Sequence, residues 1–237
     1  NCTVYSANYT VCAPNNKCVV TNCTIRNNSV LGYNGNSPGV YCGGALITDT
    51  YVINNVRENS ETGTYLGIYM NGGTVRRCVI MDNESKSTTA PSGAGGIFVD
   101  GNGGTIEGCL IANNGGQYLH YAGVYANCRS YGLTIKDTTI AGNYSDYCAG
   151  LYVPSTATKK VTVENCIIQG ARSEFAGPDC GAEWECCGTG GISFDNCVSP
   201  VGFPEGAGDG NVKGTVDFVD AENGDYRLAY SPCGLTC

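Results

Sequence analysis

Histidine is all but missing from this 237-residue chain, which has one, His120, together with two methionines and one tryptophan. No two of its cysteines stand in a C-x-x-C spacing, so the ligand patterns of zinc sites are absent and no metal is expected. Basic residues are scarce as well: 13 Lys and Arg face 21 Asp and Glu, for a net charge of −8. That balance argues against nucleic acid and against anionic membranes as partners. No apolar run approaches the ~18 residues of a membrane-spanning helix, so no membrane insertion is expected. No apolar stripe recurs at helical spacing either, which removes helices as the building block.

What the chain has instead is 35 glycines, 16 cysteines and a repeat. The stretch Val20-Thr21-Asn22-Cys23-Thr24-Ile25-Arg26-Asn27-Asn28 returns as Ile47…Thr50…Val52…Asn55, Val75…Cys78…Ile80…Asn83, Ile106…Cys109…Ile111…Asn114, Ile135…Thr138…Ile140…Asn143, Val163…Cys166…Ile168 and Phe194…Cys197. Successive Cys/Thr positions lie 27, 28, 31, 29, 28 and 31 residues apart. A period of this length marks a solenoid of stacked units. A second phrase keeps step: Gly39-Val40-Tyr41, Gly67-Ile68-Tyr69, Gly96-Ile97-Phe98, Gly123-Val124-Tyr125, Gly150-Leu151-Tyr152 and, after an insertion, Gly191-Ile192-Ser193.

Both phrases alternate with period two, the signature of strands, and corner signals such as Asn71-Gly72-Gly73 separate them. The spacing predicts an all-β, single-stranded parallel β-helix of about eight turns, stacked ~4.8 Å apart into a rod ~40 Å long. One domain is expected over 1–237: a partial first turn at 1–19, regular turns at 20–199 with an insertion at 169–190, and an irregular closing turn at 200–237. Three aliphatic columns should line the interior, through Val40–Ile192, Val20–Val163 and Ile25–Ile168. The Asn column at 28, 55, 83, 114 and 143 reads as a corner ladder of amides. Near the end, Phe218, Val219, Tyr226 and Leu228 should close the columns, with Asp217, Asp220 and Asp225 at corners.

The Gly-[Val/Ile]-Tyr and Cys-x-Ile-x-x-Asn phrases carry a resemblance, and so does the run from Val216-Asp217-Phe218 through Gly224-Asp225-Tyr226 to Ser231-Pro232-Cys233. The chain resembles the secreted bacterial right-handed parallel β-helix proteins of the pectate-lyase-like superfamily, and its repeats resemble those of polymorphic outer-membrane proteins and surface adhesins. The resemblance covers essentially the whole chain and implies a right-handed coil. It does not select an activity, because lyases, hydrolases, adhesins and structural rods share this fold. In such proteins the Ser-Pro-Cys phrase leads into further sequence, whereas here the chain stops at Cys237.

Sixteen cysteines are too many for a reducing compartment, so an extracellular or cell-surface location is expected. The repeat frame gives a column of Cys2, Cys23, Thr50, Cys78, Cys109, Thr138, Cys166 and Cys197. Neighbours stacked ~4.8 Å apart fall within the span that a disulfide accepts. Bridges Cys2–Cys23, Cys78–Cys109 and Cys166–Cys197 are therefore expected, the alternative being an inward stack of thiols. Local pairs Cys12–Cys18 and Cys233–Cys237 fit as well, and Cys180 with Cys186 or Cys187. Glycosylation sequons occur at Asn1, Asn8, Asn22, Asn27, Asn83 and Asn143.

The variable segments after each Asn corner must emerge on one flank, and they are rich in aromatic residues. That flank is the expected partner surface, through Tyr33, Tyr118, His120, Tyr121, Tyr144, Tyr147, Asp179, Glu183, Trp184 and Glu185. The line Tyr41-Tyr69-Phe98-Tyr125-Tyr152 should point outward, its rings stacking on one another rather than on a ligand. Asp49, Asp82, Glu107, Asp137 and Glu164 fall singly in the frame, so the paired carboxylates of polysaccharide chemistry are not apparent and no catalytic residue is assigned. The densest acidic group, Glu174, Asp179, Glu183 and Glu185, is a braced loop or, alternatively, a calcium or sugar site. His120 has no Asp or Ser in register and reads as a loop residue.

These features point to an extracellular structural or adhesive β-solenoid. The opening Asn1-Cys2-Thr3-Val4 matches Asn22-Cys23-Thr24-Ile25, which suggests an open first turn and homo-oligomers stacked end to end into a filament. The alternative is a polysaccharide-active lyase or hydrolase, or a carbohydrate-binding module using the aromatic flank.

Overall fold

A computed structural model describes residues 2–5, 11–30, 39–58, 64–88, 93–116, 118–173 and 183–229. The chain coils through three short strands per turn, and each strand pairs in parallel with those one turn before and after. The first face holds Val11–Ala13, Val40–Cys42, Ile68–Met70, Ile97–Gly101, Val124–Cys128, Leu151–Val153 and Trp184–Cys186. A second face, also of seven strands, runs from Val19–Thr21 to Ile192–Asp195. The third has nine, from Cys2–Tyr5 to Val212–Lys213. The expected eight or so turns thus resolve as seven three-sided rungs enclosing six full circuits, with a lone strand at either end. Among the described residues the helical content is one 3-10 turn, Ala221–Asn223, capped by the Asp220 carboxylate on the Asn223 N–H at 3.2 Å.

The corners follow from local chemistry. One residue ahead of the Cys/Thr column, Asn22, Asp49, Arg77, Gly108, Asp137, Asn165 and Asn196 all have φ between 50° and 60°. Asn, Asp and Gly tolerate this left-handed region best. The following Cys or Thr then donates back to the carbonyl two residues upstream: Thr50 Oγ1 to Thr48 at 2.9 Å, Thr138 Oγ1 to Lys136 at 2.8 Å, Cys78 Sγ to Arg76 at 3.3 Å and Cys166 Sγ to Glu164 at 3.1 Å. Cysteine and threonine are interchangeable here because either can close the same turn.

This role revises the disulfide expectation. Cys12, Cys18, Cys23, Cys78, Cys109, Cys166, Cys186, Cys187 and Cys197 are free thiols, so the bridges Cys2–Cys23, Cys78–Cys109, Cys166–Cys197 and Cys12–Cys18 are not formed, nor any to Cys186 or Cys187. Cys180, Cys233 and Cys237 lie outside the described residues. The stacked partners hydrogen-bond instead: a bond to the Cys109 sulfur, then burial, raises the Cys78 thiol above its ordinary value, and Cys197 acts likewise on Cys166.

The second corner carries the Asn ladder as expected. Each Nδ2 donates to the next Oδ1: Asn28 to Asn55 at 2.8 Å, Asn55 to Asn83 at 2.9 Å, Asn83 to Asn114 at 2.8 Å and Asn114 to Asn143 at 3.0 Å. The other amide proton reaches a carbonyl one turn back, as from Asn83 to Val52 at 2.9 Å. Asn83 and Asn143 are fully buried in this ladder, so their sequons are closed to glycosylation.

The three aliphatic columns stack in register as well, for example Val20, Ile47, Val75, Ile106, Ile135, Val163 and Phe194. From Ile47 to Phe194 these side chains are wholly buried, each contributing ~1.5–3 kcal/mol of apolar transfer, while Val20 at the end is partly buried. The glycine before each of the five first-face strands from Val40–Cys42 to Leu151–Val153 is required by close approach: a Cβ on Gly123 would collide with the Gly150 carbonyl oxygen. One column is corrected. Leu151 pairs with Trp184, not Ile192, which instead follows Val161 on the second face. The expected insertion therefore ends earlier than 190, and Glu183-Trp184-Glu185 takes the place of the sixth Gly-Val-Tyr phrase.

The coil is closed by residues 200–211 rather than by 218–228. Phe203 and Ala207 pack on the core, and the Ala207 and Asp209 carbonyls accept the N–H groups of Phe194 and Asn196 at 2.8 Å. This loop covers the end of the core beyond Phe194. The chain then returns along the third face: Val216 exchanges hydrogen bonds with the Gln169 side chain at 2.9 and 2.8 Å, and the Tyr226 hydroxyl donates to Asn113 at 2.5 Å. Val219 and Leu228 remain exposed.

Candidate functional site

Alternation along the first face decides what points outward. Inward Val40, Ile68, Ile97, Val124 and Leu151 leave Tyr41, Tyr69, Phe98, Tyr125 and Tyr152 on the outer side, in register from turn to turn. Their ring centroids follow at 5.4, 5.6, 4.5 and 5.8 Å. The rings stack on one another, as the sequence predicts. Two loop tyrosines lean onto this line: Tyr65 against Phe98 at 4.2 Å, and Tyr121 against Tyr125 and Tyr152, both at 4.6 Å. Such pairs are worth ~0.5–1.5 kcal/mol each beyond their area, so the ladder is a rigid surface.

At its far end the ladder opens into a pocket of about 400 Å³ lined by His120, Tyr121, Asp146, Tyr147 and Tyr152. Tyr121 pairs with Cys148 across one turn, which brings the segments 118–121 and 145–148 side by side. His120 Nε2 stands 3.5 Å from Asp146 Oδ2, and the Tyr147 hydroxyl donates to Glu185 Oε1 at 3.2 Å. Burial pushes the Tyr121 phenol up to about 12 and raises Tyr152 further, so both are hydroxyl donors at neutral pH. Burial also raises the Asp146 carboxyl, against the opposing pull of His120.

The structure thus unites four of the expected surface residues, His120, Tyr121, Tyr147 and Glu185; Tyr118 is half-buried. Tyr33 and Asp179 lie outside the described residues. Trp184 points inward and stacks near Phe194 at 5.0 Å and Phe203 at 6.5 Å, so it belongs to the core end and not to the flank. Glu183 and Glu185 have separate partners: Glu183, just ahead of the strand Trp184–Cys186, is buried and accepts the Ala171 N–H at 3.2 Å, whereas Glu185 faces Tyr147. They do not form one acidic site, and among the described residues no group of three His, Cys, Asp or Glu could hold a metal ion. Asp146 was missed, and His120 was wrongly left without an acidic neighbour. The signal was the register of two loops, in which Asp146 N donates to the Leu119 carbonyl at 2.9 Å.

Tyr144 lies elsewhere. It lines a groove of about 620 Å³ between the third-face corner and the returning segment, together with Asp82, Glu84, Arg172 and Glu222. Its hydroxyl donates to Glu84 Oε1 at 3.4 Å, and the Arg172 guanidinium lies 5.8 Å from its ring centroid. Burial raises the Asp82 carboxyl. Glu222 reaches this groove only because the chain folds back, which is why the acids looked scattered in the repeat frame.

In comparison with known proteins, residues 11–198 match the family model described as a right handed beta helix region. No curated protein and no solved structure matches the chain.

Proposed function

The chain belongs to the right-handed β-helix family, and we propose that it is a secreted or cell-surface adhesive solenoid whose aromatic flank binds carbohydrate. The observation that carries this reading is the pocket at the end of the tyrosine ladder. Flat, rigid rings suit the apolar faces of pyranoses, and the Asp146, Glu185 and tyrosine oxygens around them suit hydroxyl groups. A volume of about 400 Å³ is within the ~300–1,000 Å³ of small-ligand sites. Binding to an immobilised glycan panel tests it. Tyr121→Ala and Tyr147→Ala should each weaken retention about tenfold or more with the β-sheet circular dichroism intact. Retention by these variants equal to the parent protein would count against the flank as the site.

A second reading, as a polysaccharide lyase or hydrolase, is favoured by the groove in which Asp82, Glu84 and Glu222 meet Arg172. Release of unsaturated or reducing ends from uronic-acid polymers, lost in Asp82→Asn and Glu222→Gln, would move the assignment there.

A further inference from the structure

We propose that the pocket at the end of the tyrosine ladder selects a protonated amine carried on a sugar, so that its ligand is an amino sugar; this rests on the glycan-binding reading and narrows it. Three rings cluster at the pocket wall: Tyr121 and Tyr152 stack on each other, 4.6 Å apart at 13°, and Tyr147 stands upright to both, at 87° and 89°. Ring faces carry the negative lobe of the aromatic quadrupole, and cations settle over them.

Two carboxylates stand beside these rings, Asp146 in the pocket wall and Glu185 behind the Tyr147 hydroxyl, and both are incompletely satisfied. Asp146 turns Oδ2 toward His120, while its Oδ1 is buried with no hydrogen-bond partner among the described residues. Glu185 Oε1 accepts from the Tyr147 hydroxyl at 3.2 Å and the Cys187 thiol at 3.1 Å, while its Oε2 is likewise buried and unpartnered. A buried carboxylate oxygen without a donor is unfavourable, and a ligand that supplies the donor and a positive charge relieves it twice over. An ammonium group brings three N–H donors and the charge; a sugar hydroxyl brings one donor and none. No lysine or arginine lines the pocket among the described residues; the one basic side chain there is His120, which faces Asp146 Oδ2 and leaves Asp146 Oδ1 and Glu185 Oε2 without a donor. The net charge of −8 draws cations to the surface at longer range. The ladder that continues along Tyr125 and Phe98 offers a flat track for further sugar rings, which a lysine side chain on a protein partner would not use.

Titration calorimetry on the whole chain, with β-1,4-linked glucosamine trisaccharide against its N-acetylated counterpart at about pH 5.5, where the amines hold their protons, tests this. The glucosamine form is expected to bind about tenfold tighter or more. Glu185→Gln and Asp146→Asn, which keep shape and remove charge, should bring that ratio towards one. Should either variant fold poorly, the ratio measured on the parent protein decides alone. Equal affinity for the two trisaccharides would overturn the amine preference and leave the glycan reading standing. Binding of neither trisaccharide while other, neutral glycans bind would do the same. Absence of binding to any glycan would remove both, and a lysine-rich peptide bound as tightly as the glucosamine form would overturn the assignment to a sugar.

Discussion

Glu183 sits two residues from the pocket acid Glu185 yet does unrelated work. It is 6% exposed, and removal from water pushes its carboxyl from an ordinary 4.5 up to about 7, against the stabilising N–H groups of Ala171 and Gly170. A carboxyl raised in the fold favours folding while it is protonated. Stability is therefore highest below about pH 4.5 as far as this group is concerned, and falls as pH rises through 7. The loss is about 3 kcal/mol at 1.36 kcal/mol per unit. Glu183→Gln should raise the melting temperature at pH 8 and flatten the stability profile between pH 5 and 7, as followed by thermal denaturation across pH; an unchanged profile would mean that Glu183 ionises without cost.

Along the strands and corners, stability comes from repetition. The Asn ladder is a continuous buried strip in which every amide is both donor and acceptor to its neighbours, so one deletion orphans groups on two turns. Asn83→Ala removes the Oδ1 that accepts the Asn55 side-chain amide at 2.9 Å and the Asn55 backbone N–H at 3.1 Å, and leaves Asn114 Oδ1 with one of its two donors. The expected cost is about 3 kcal/mol in urea unfolding, with the midpoint lowered and the slope preserved. By contrast the ion pairs on the outer surface, such as Arg77 with Asp49 at 2.7 Å, are exposed and contribute little.

A solenoid is held by nearest-neighbour contacts between turns, so its ends determine where it opens first. The loop 200–211 acts as the cap at one end, with Phe203 placed 4.9 Å from Phe194. Phe203→Ala should remove about 2 kcal/mol. In hydrogen exchange the Phe194 and Asn196 amides should lose protection first, while Ile97–Gly101 in the middle stays protected. Uniform loss of protection along the rod would show that the turns unfold as one unit.

The columns, the corner amides and the outward tyrosines were legible in the residues, because a repeat presents the same position many times and each copy restates the same constraint. The disulfide reading finds no support among the described residues, and Thr50 and Thr138 show a physical reason: the column asks for a donor that closes a left-handed turn, which a thiol meets without a bond to its neighbour. Trp184 was misplaced because Leu151 pairs with it directly, a register that an irregular segment hides. The pocket itself depends on contacts between loops of different turns, His120 with Asp146 and Tyr147 with Glu185, and the second groove on a chain that folds back on its own coil. By itself the sequence determined the coil, since period-two patterning and positive-φ corners are local. Only the tertiary structure decided which side chains converge, because neighbours 26 to 38 residues apart meet through stacking rather than through spacing.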